Sequence, residues 1–346
     1  MQEPERLDSL DHRRMWARLR APVWVVAGAV FAGGAAAGAG LLILGALAYG
    51  WSRLLDRSIR DFPLWGWAGE VAEVLGAAVG LVIAGTIVLY GLFGAPAKLL
   101  HEIAARPLDD RRGSDLDEVA ATRFRNVAEE LSLGLGVDAP RLALIDDPAP
   151  NALSVRQWSR RTLVATTGLM RLPRDEVEAV LAHEMAHLHA HDARWITAAE
   201  SSVASAHRIT GLIAGLGGLV AGLGLYLDLI VSLIALGLLL AIVGGLGRVL
   251  VGRAMASIRR ESDELADVAA ILLARNPESL GNVCARLVHD RSEVAVRPER
   301  ARLLWFKLVS DDSVSAAGAA RELETRADAA YREARLARPP LSPSTT

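Results

Sequence analysis

Cysteine is almost missing from this chain, with Cys284 standing alone among 346 residues. One thiol excludes an intramolecular disulfide framework and cannot build a thiolate zinc site. Cys284 therefore reads as a small packed side chain, and the redox compartment is left open. An excess of one charge is missing too, since 38 Lys and Arg face 40 Asp and Glu. The formal charge of -2 leaves no electrostatic footprint for nucleic acid, and the arginines gather beside apolar runs instead of forming a basic stripe. No nucleic-acid partner is expected. Charge of either sign is absent from four long runs, Ala21 to Ser52, Val74 to Ala97, Ile209 to Leu227 and Leu229 to Gly247.

About 20 residues at a 1.5 Å rise cross the ~30 Å hydrocarbon layer, so each run is long enough to span a bilayer. Composition agrees, because 52% hydrophobic residues exceed what one soluble core needs. The last two runs are parted only by Asp228, which reads as the tip of a tight hairpin; a single buried helix of their joint length would exceed any ordinary globular helix. Ala46-Leu47-Ala48 resembles a signal cleavage site, yet the apolar stretch before it is about twice a normal signal core, which favours an uncleaved anchor. Arg6, Arg13, Arg14, Arg18 and Arg20 precede the first run, and Lys98, Arg106, Arg111 and Arg112 follow the second. By the positive-inside rule both flanks are cytoplasmic. Arg53, Arg57 and Arg60 in the intervening loop oppose this and are partly offset by Asp56, Asp61 and Glu70. The expectation is a multi-pass protein of the cell membrane with its charged domain facing the cytoplasm and the lipid bilayer as a partner.

The most informative stretch is His183-Glu184-Met185-Ala186-His187. Residues four apart share a helix face, so two imidazoles there can close on one zinc ion with Glu184 beside it. Zinc lowers the pKa of a water molecule to roughly 7, and a neighbouring carboxylate can then take its proton at neutral pH. Five residues make a short motif, so context has to support it. Pro173 near the first turn, Asp175 and Glu176 at the positive end of the dipole, and Val177, Val180 and Leu181 at helical spacing predict a helix that carries the motif in its middle. Ala179, Ala186 and Ala190 flank the histidines, and small residues let another helix approach closely enough to add a ligand.

Before that helix, residues 115–133 read as an amphipathic helix with Leu116, Val119, Ala120, Phe124, Val127, Ala128 and Leu131 on one side. Residues 141–145 and 162–166 look like short strands, separated by the turn-rich run 146–151. An exposed strand beside a metal can hold an extended peptide on the sheet edge, or be an edge with no ligand. Two histidines and a water leave one zinc position for Asp, Glu or His. His189 and His191 are near, but His191 lies two turns past His183, too far along an unbroken helix. The better source is Arg259-Arg260-Glu261-Ser262-Asp263-Glu264-Leu265-Ala266-Asp267, which a membrane hairpin returns to the side it left.

With these motifs in order, the chain resembles the HtpX-like family of integral membrane zinc metallopeptidases, which also includes the CAAX prenyl proteases. The residues that carry the resemblance are Pro150-Asn151-Ala152-Leu153, Thr166-Thr167-Gly168-Leu169 before Asp175-Glu176-Val177, the His183 to His187 motif with Asp192, the two-span insert, and Ala266-Asp267. They cover about residues 70–275. The resemblance implies a mainly α fold, with multi-pass membrane helices and an α+β zincin-type metallopeptidase domain carrying a small β-sheet. It implies one Zn2+ per chain, held by His183, His187 and an acid four residues before Asp267. That acid is a glutamate in the family and Asp263 here; Asp is one methylene shorter, so either the helices sit closer or Glu264 substitutes with a turned side chain. Small Ala256, Ala266 and Ala270 around the Asp263 face fit the close approach. Asp267 is implied as the acceptor for a ligating imidazole, Glu184 as the general base and Asn151 as a substrate-binding residue. Relatives carry a late His-Pro segment that stabilises the oxyanion; here His289, Arg291, Arg297 and Tyr331 are the open alternatives for that donor.

The expected organisation is an N-terminal cytoplasmic tail 1–20, two transmembrane helices with their loop at 21–97, a metallopeptidase domain in two parts at 98–207 and 248–328, a transmembrane hairpin at 208–247 between those parts, and a flexible tail at 329–346. The expected function is a membrane-bound zinc endopeptidase cleaving membrane or misfolded proteins at the cytoplasmic face. The alternative is a catalytically silent membrane scaffold braced by structural zinc. Intramembrane proteolysis would need the motif inside a span, where Arg174, Asp175, Glu176, Glu178, Asp192 and Arg194 make burial expensive.

Overall fold

The computed structural model describes residues 94–109, 118–157, 160–189, 259–260, 262–295, 304–308 and 315–337, with a few isolated positions besides. The predicted spans, the N-terminal tail, the predicted hairpin, Ala190, His191, Asp192 and Arg297 lie outside the described residues, apart from some of those positions and the end of the second span. Among the described residues no helix is long and apolar enough to cross a membrane. The chain divides into two compact units, one of residues 1–19, 92–200 and 258–346, the other of residues 20–91 and 201–257.

The first of these units is mainly helical with a small mixed sheet of four strands. In chain order its elements are α1 (Ala95–Glu102), β1 (Arg106–Pro107), α2 (Glu118–Leu135), β2 (Arg141–Ile145), β3 (Ala152–Gln157), β4 (Arg160–Thr166), α3 (Thr167–Met170), α4 (Arg174–His189), the helical residues 262–273 (α5), α6 (Ser279–His289) and α7 (Ala316–Ala337). The sheet order is β1-β2-β4-β3. Strands β2 and β4 run parallel with Ala143 opposite Val164, while β3 returns antiparallel to β4. Apolar runs on β2 and β4 suit a parallel pair buried on both faces. Strand β3 has no counterpart among the strands read from sequence; it carries Ser154 and Arg156, which break the apolar run, yet both are buried and both are used. Arg156 Nη1 donates to the Leu188 carbonyl at 2.7 Å and so closes the end of α4.

Helix α4 packs on β3, β4, α2 and α6. Its buried apolar side chains, with Phe124 of α2 and Val283 and Leu287 of α6, form one core. Val119, expected on the inner face of α2, is exposed at the helix start, whereas Phe124, Val127, Ala128 and Leu131 are inside. The structure also moves the expected tail. Residues 329–337 continue α7, with Ala330 and Ala334 buried against the core. Alanines at helical spacing give little hydrophobic contrast in sequence, but they let α6 and α7 approach until a Cβ on Gly281 would meet the Tyr331 ring at 2.6 Å.

The Thr166-Thr167-Gly168 stretch is a lock. Thr166 Oγ1 donates to the Ala149 carbonyl at 2.7 Å and accepts from the amides of Asn151 and Leu169, capping α3. Thr167 Oγ1 donates to the Asp147 carbonyl, which also receives the Gly168 amide. A Cβ at Gly168 would overlap the backbone of Pro148 and Ala149. Gly168→Ala is therefore expected to destabilise the fold by about 1–3 kcal/mol or more. Gly134→Ala, whose Cβ meets only Leu273 at 3.9 Å on a helix, should be neutral or stabilising by up to about 1 kcal/mol. Chemical denaturation midpoints of the two variants give the comparison.

Candidate metal centre

Helix α4 runs from Arg174 to His189 and buries His183, Glu184 and His187 on the side facing β3 and α5. Where α4 meets α5, the contact is made by Ala186, Ala266 and Ala269, a cluster of three alanines. Side chains this small let the two helices approach closely, and Asp263 of α5 reaches both imidazoles despite its short stem. Its Oδ1 lies 3.5 Å from His187 Nε2 and 3.9 Å from His183 Nε2, and the two Nε2 atoms are 3.1 Å apart. Ligand atoms of a tetrahedral zinc site with bonds of about 2.0–2.2 Å sit roughly 3.3–3.6 Å apart, so the three donors match in kind, and their separations of 3.1, 3.5 and 3.9 Å bracket that spacing. Among the described residues they form the cluster able to hold a metal ion. Glu264, the alternative ligand, is exposed and stands outside it.

The far nitrogens of the rings have partners of their own. His183 Nδ1 lies 2.7 Å from Asp267 Oδ1, an atom that can only accept from it when ionised. His187 Nδ1 lies 3.2 Å from Ser262 Oγ. The two Nε2 atoms face each other at 3.1 Å with the Asp263 carboxylate oxygen alongside. Two imidazole nitrogens and a carboxylate oxygen that converge in this way are the donor types zinc takes, so the donor set fits zinc.

Two arginines hold the carboxylates. Arg326 of α7 forks onto Asp267, with Nη2 to Oδ1 at 2.6 Å and Nε to Oδ2 at 2.9 Å. Arg259 sets Nε 3.0 Å from Asp263 Oδ2. Burial works to raise the Asp263 carboxyl, but Arg259, the His187 hydrogen bond, Arg326 and His183 outweigh it and hold the group well below the usual carboxylate range. Asp267 is likewise held low, burial being outweighed by Arg326 and His183. Glu184 differs. Burial dominates there and raises its carboxyl above the ordinary value, against the imidazole charges and a hydrogen bond with Ser154 of β3. Two carboxylates are thus held towards the ionised form, and the third is shifted the other way.

Phe306 stands edge-on to His183 with ring centroids 5.0 Å apart, and the Arg326 guanidinium lies 4.4 Å over the Phe306 ring. Phe306 belongs to the short segment 304–308, whose Trp305 bridges antiparallel to Leu153 and whose Phe306 amide donates to the Ala152 carbonyl. At Ala152 and Leu153 the edge of β3 is therefore extended by the chain itself. Asn151 sits apart from the donor cluster, 2% exposed, pairing its amide with the Lys307 backbone in both directions at 2.9 Å. Of the open oxyanion donors, Tyr331 gives its hydroxyl to Asn282, and His289 and Arg291 are exposed.

Sequence reasoning gives no role to Ser154, Arg259, Ser262, Phe306 or Arg326. Arg259 is within its reach, because arginine four residues before Asp263 is the spacing of a helical ion pair. Arg326 stands 59 residues from its partner and carries no local signal.

The profile of peptidase family M48 matches residues 119–303. The chain is similar to the protease HtpX homolog of Limosilactobacillus fermentum, 27% identical over 260 residues that cover 67% of this chain and 81% of that one. It is similar as well to the protease HtpX homolog of Streptococcus pneumoniae strain P1031, 30% identical over 234 residues, covering 62% and 72% respectively. No solved structure matches it significantly. The match takes in both histidines and Asp263, from two separate helices, and with it the chain belongs to peptidase family M48, in its HtpX-like branch.

Proposed function

We propose that this chain is a membrane-bound zinc endopeptidase, with His183, His187 and Asp263 as the metal ligands, Glu184 as the general base and Asp267 orienting the His183 ring. The convergence of three donor atoms from α4 and α5, with Glu184 beside them, carries the reading. When bound, zinc supplies Lewis-acid polarisation of a water molecule and of the scissile carbonyl. Glu184 takes the proton of the attacking water and delivers it to the leaving amine; its upward shift brings its pKa closer to neutral working pH. The Ser154 hydrogen bond fixes which way that carboxylate faces. Asn151 acts at one remove, by fixing residues 305–307 along β3 beside the centre. Uncharged runs 21–52, 74–97, 209–227 and 229–247 support insertion in a bilayer, and the arginine-rich flanks support a cytoplasmic catalytic face. Membrane or misfolded proteins are the substrates such placement serves.

Glu184→Gln is expected to keep zinc at one ion per chain while peptide cleavage falls by a factor on the order of a hundred or more. His187→Ala is expected to lose the zinc as well. Metal analysis beside a cleavage assay separates the two, and undiminished cleavage by Glu184→Gln would end the assignment.

The metal-free chain should respond to acid with a definite sign. Asp263 and Asp267 are depressed in the fold, so their contribution to stability is complete above the unfolded value of about 3.9 and is lost as pH falls from there towards their folded values. Glu184 is raised, so its contribution is present below about 4.3 and lost as pH climbs through its folded value. Denaturation midpoints should fall steeply below about pH 4, and Asp267→Asn should flatten that fall.

A further inference from the structure

Arg259 and Arg326 each join a carbonyl of one segment to a carboxylate of α5, Arg326 by hydrogen bonds on every arm and Arg259 by an ion pair at Nε that it shares with Glu322 at 3.6 Å. Arg259 Nη2 donates to the Trp305 carbonyl at 2.9 Å and its Nε meets Asp263 Oδ2 at 3.0 Å. Arg326 Nη1 donates to the Phe306 carbonyl at 2.9 Å and its other two nitrogens take Asp267. Trp305 and Phe306 are consecutive in sequence; Asp263 and Asp267 are one helical turn apart. Two adjacent carbonyls of one segment thus register two successive carboxylates of one helix, each through a buried guanidinium. The segment is itself pinned, by Asn151 on the Lys307 backbone and by Ala152 on the Phe306 amide. Its side chains Trp305 and Phe306 are 1% and 2% exposed, so the template cannot drift.

We propose that Arg259 and Arg326 are a matched pair of positioning residues that use segment 304–308 as a fixed rail to aim the metal-site carboxylates. This rests on the zinc-ligand reading above. Arg259 engages Oδ2 of Asp263 and leaves Oδ1 turned to the imidazoles, which lets an aspartate serve as a single-oxygen ligand where its short stem permits little adjustment. Arg326 holds both oxygens of Asp267, and Asp267, at 2.7 Å from His183 Nδ1 against 3.3 Å for Arg326 Nη2, is the nearer partner and draws the proton to Nδ1, which turns Nε2 to the ion. Neither arginine touches the ion or substrate. A planar head serves both places, because it faces a carbonyl and a carboxylate at once, by hydrogen bonds throughout at Arg326 and by a hydrogen bond and an ion pair at Arg259.

Lysine in place of either arginine keeps the charge and loses the fork. Arg286 is the control, since it makes a comparable two-point pair with Glu176, at 2.7 Å on both arms, within the same unit but away from the donor cluster. In the full chain, Arg259→Lys and Arg326→Lys are each expected to weaken zinc binding by tenfold or more in chelator competition, while Arg286→Lys leaves it within about twofold of the parent. Lysine variants of Arg259 and Arg326 that bind zinc no worse than Arg286→Lys would overturn the proposal. A second measurement needs no variant: long-range nitrogen–proton spectra of the metal-free parent should show His183 as a single Nδ1–H tautomer, and a tautomer mixture would overturn the role of Arg326 and Asp267. A parent chain that binds no zinc removes the ligand reading itself, an outcome distinct from intact zinc binding with insensitive arginines.

Discussion

A carboxylate withdrawn from water must be met by cations and hydrogen bonds or it takes up a proton, and the centre of this chain withdraws three. Asp263 and Asp267 are answered by two buried arginines and stay ionised, while Glu184 has no arginine of its own and is shifted the other way. On the proposed reading, that inequality separates holding from reacting among residues of nearly identical chemistry. The rest of the fold serves it: the alanine contact between α4 and α5 brings the acids within reach, the sheet supplies Ser154, and segment 304–308 gives the arginines something rigid to hold.

The alanine contact also explains how a shortened ligand is tolerated. Aspartate reaches one methylene less far than glutamate, and if Asp263 is the ligand, the alanine contact between α4 and α5 is what meets the deficit. Ala186 lies between Glu184 and His187 in the motif, and Ala266 lies just before Asp267. The residues that bring the helices together are interleaved with the proposed ligands and base. A larger side chain at either position would separate the helices and take Asp263 away from the imidazoles.

Much of this is legible along the chain. The zinc helix, β2, β4 and most of the inner face of α2 follow from periodicity, and Asp263 follows from the resemblance once its four-residue offset from Asp267 is noticed. What escapes has a common physical cause. Strand β3 hides because Ser154 and Arg156 are polar yet buried, satisfied by partners on α4 that no local window contains. Helix α7 hides because its inner face is built from alanine, whose small area gives weak contrast even where burial is complete. Arg326 hides because the reason for it is geometric, resting on a carbonyl and a carboxylate contributed by two other stretches. Asn151 is visible as a motif residue, but its partner, the Lys307 backbone, is 156 residues away.

The order of synthesis gives that long-range construction a further meaning. The two imidazoles leave the ribosome about midway through the chain, the acids of α5 come after them, and the guanidinium that holds Asp267 arrives with α7, the last described element to be made. A nascent chain therefore carries its hydrolytic motif for some time without a finished centre. On the reading proposed above, the buttress of Asp267 is complete only once translation has passed Arg326, so the centre would be finished last, beside a polypeptide already made.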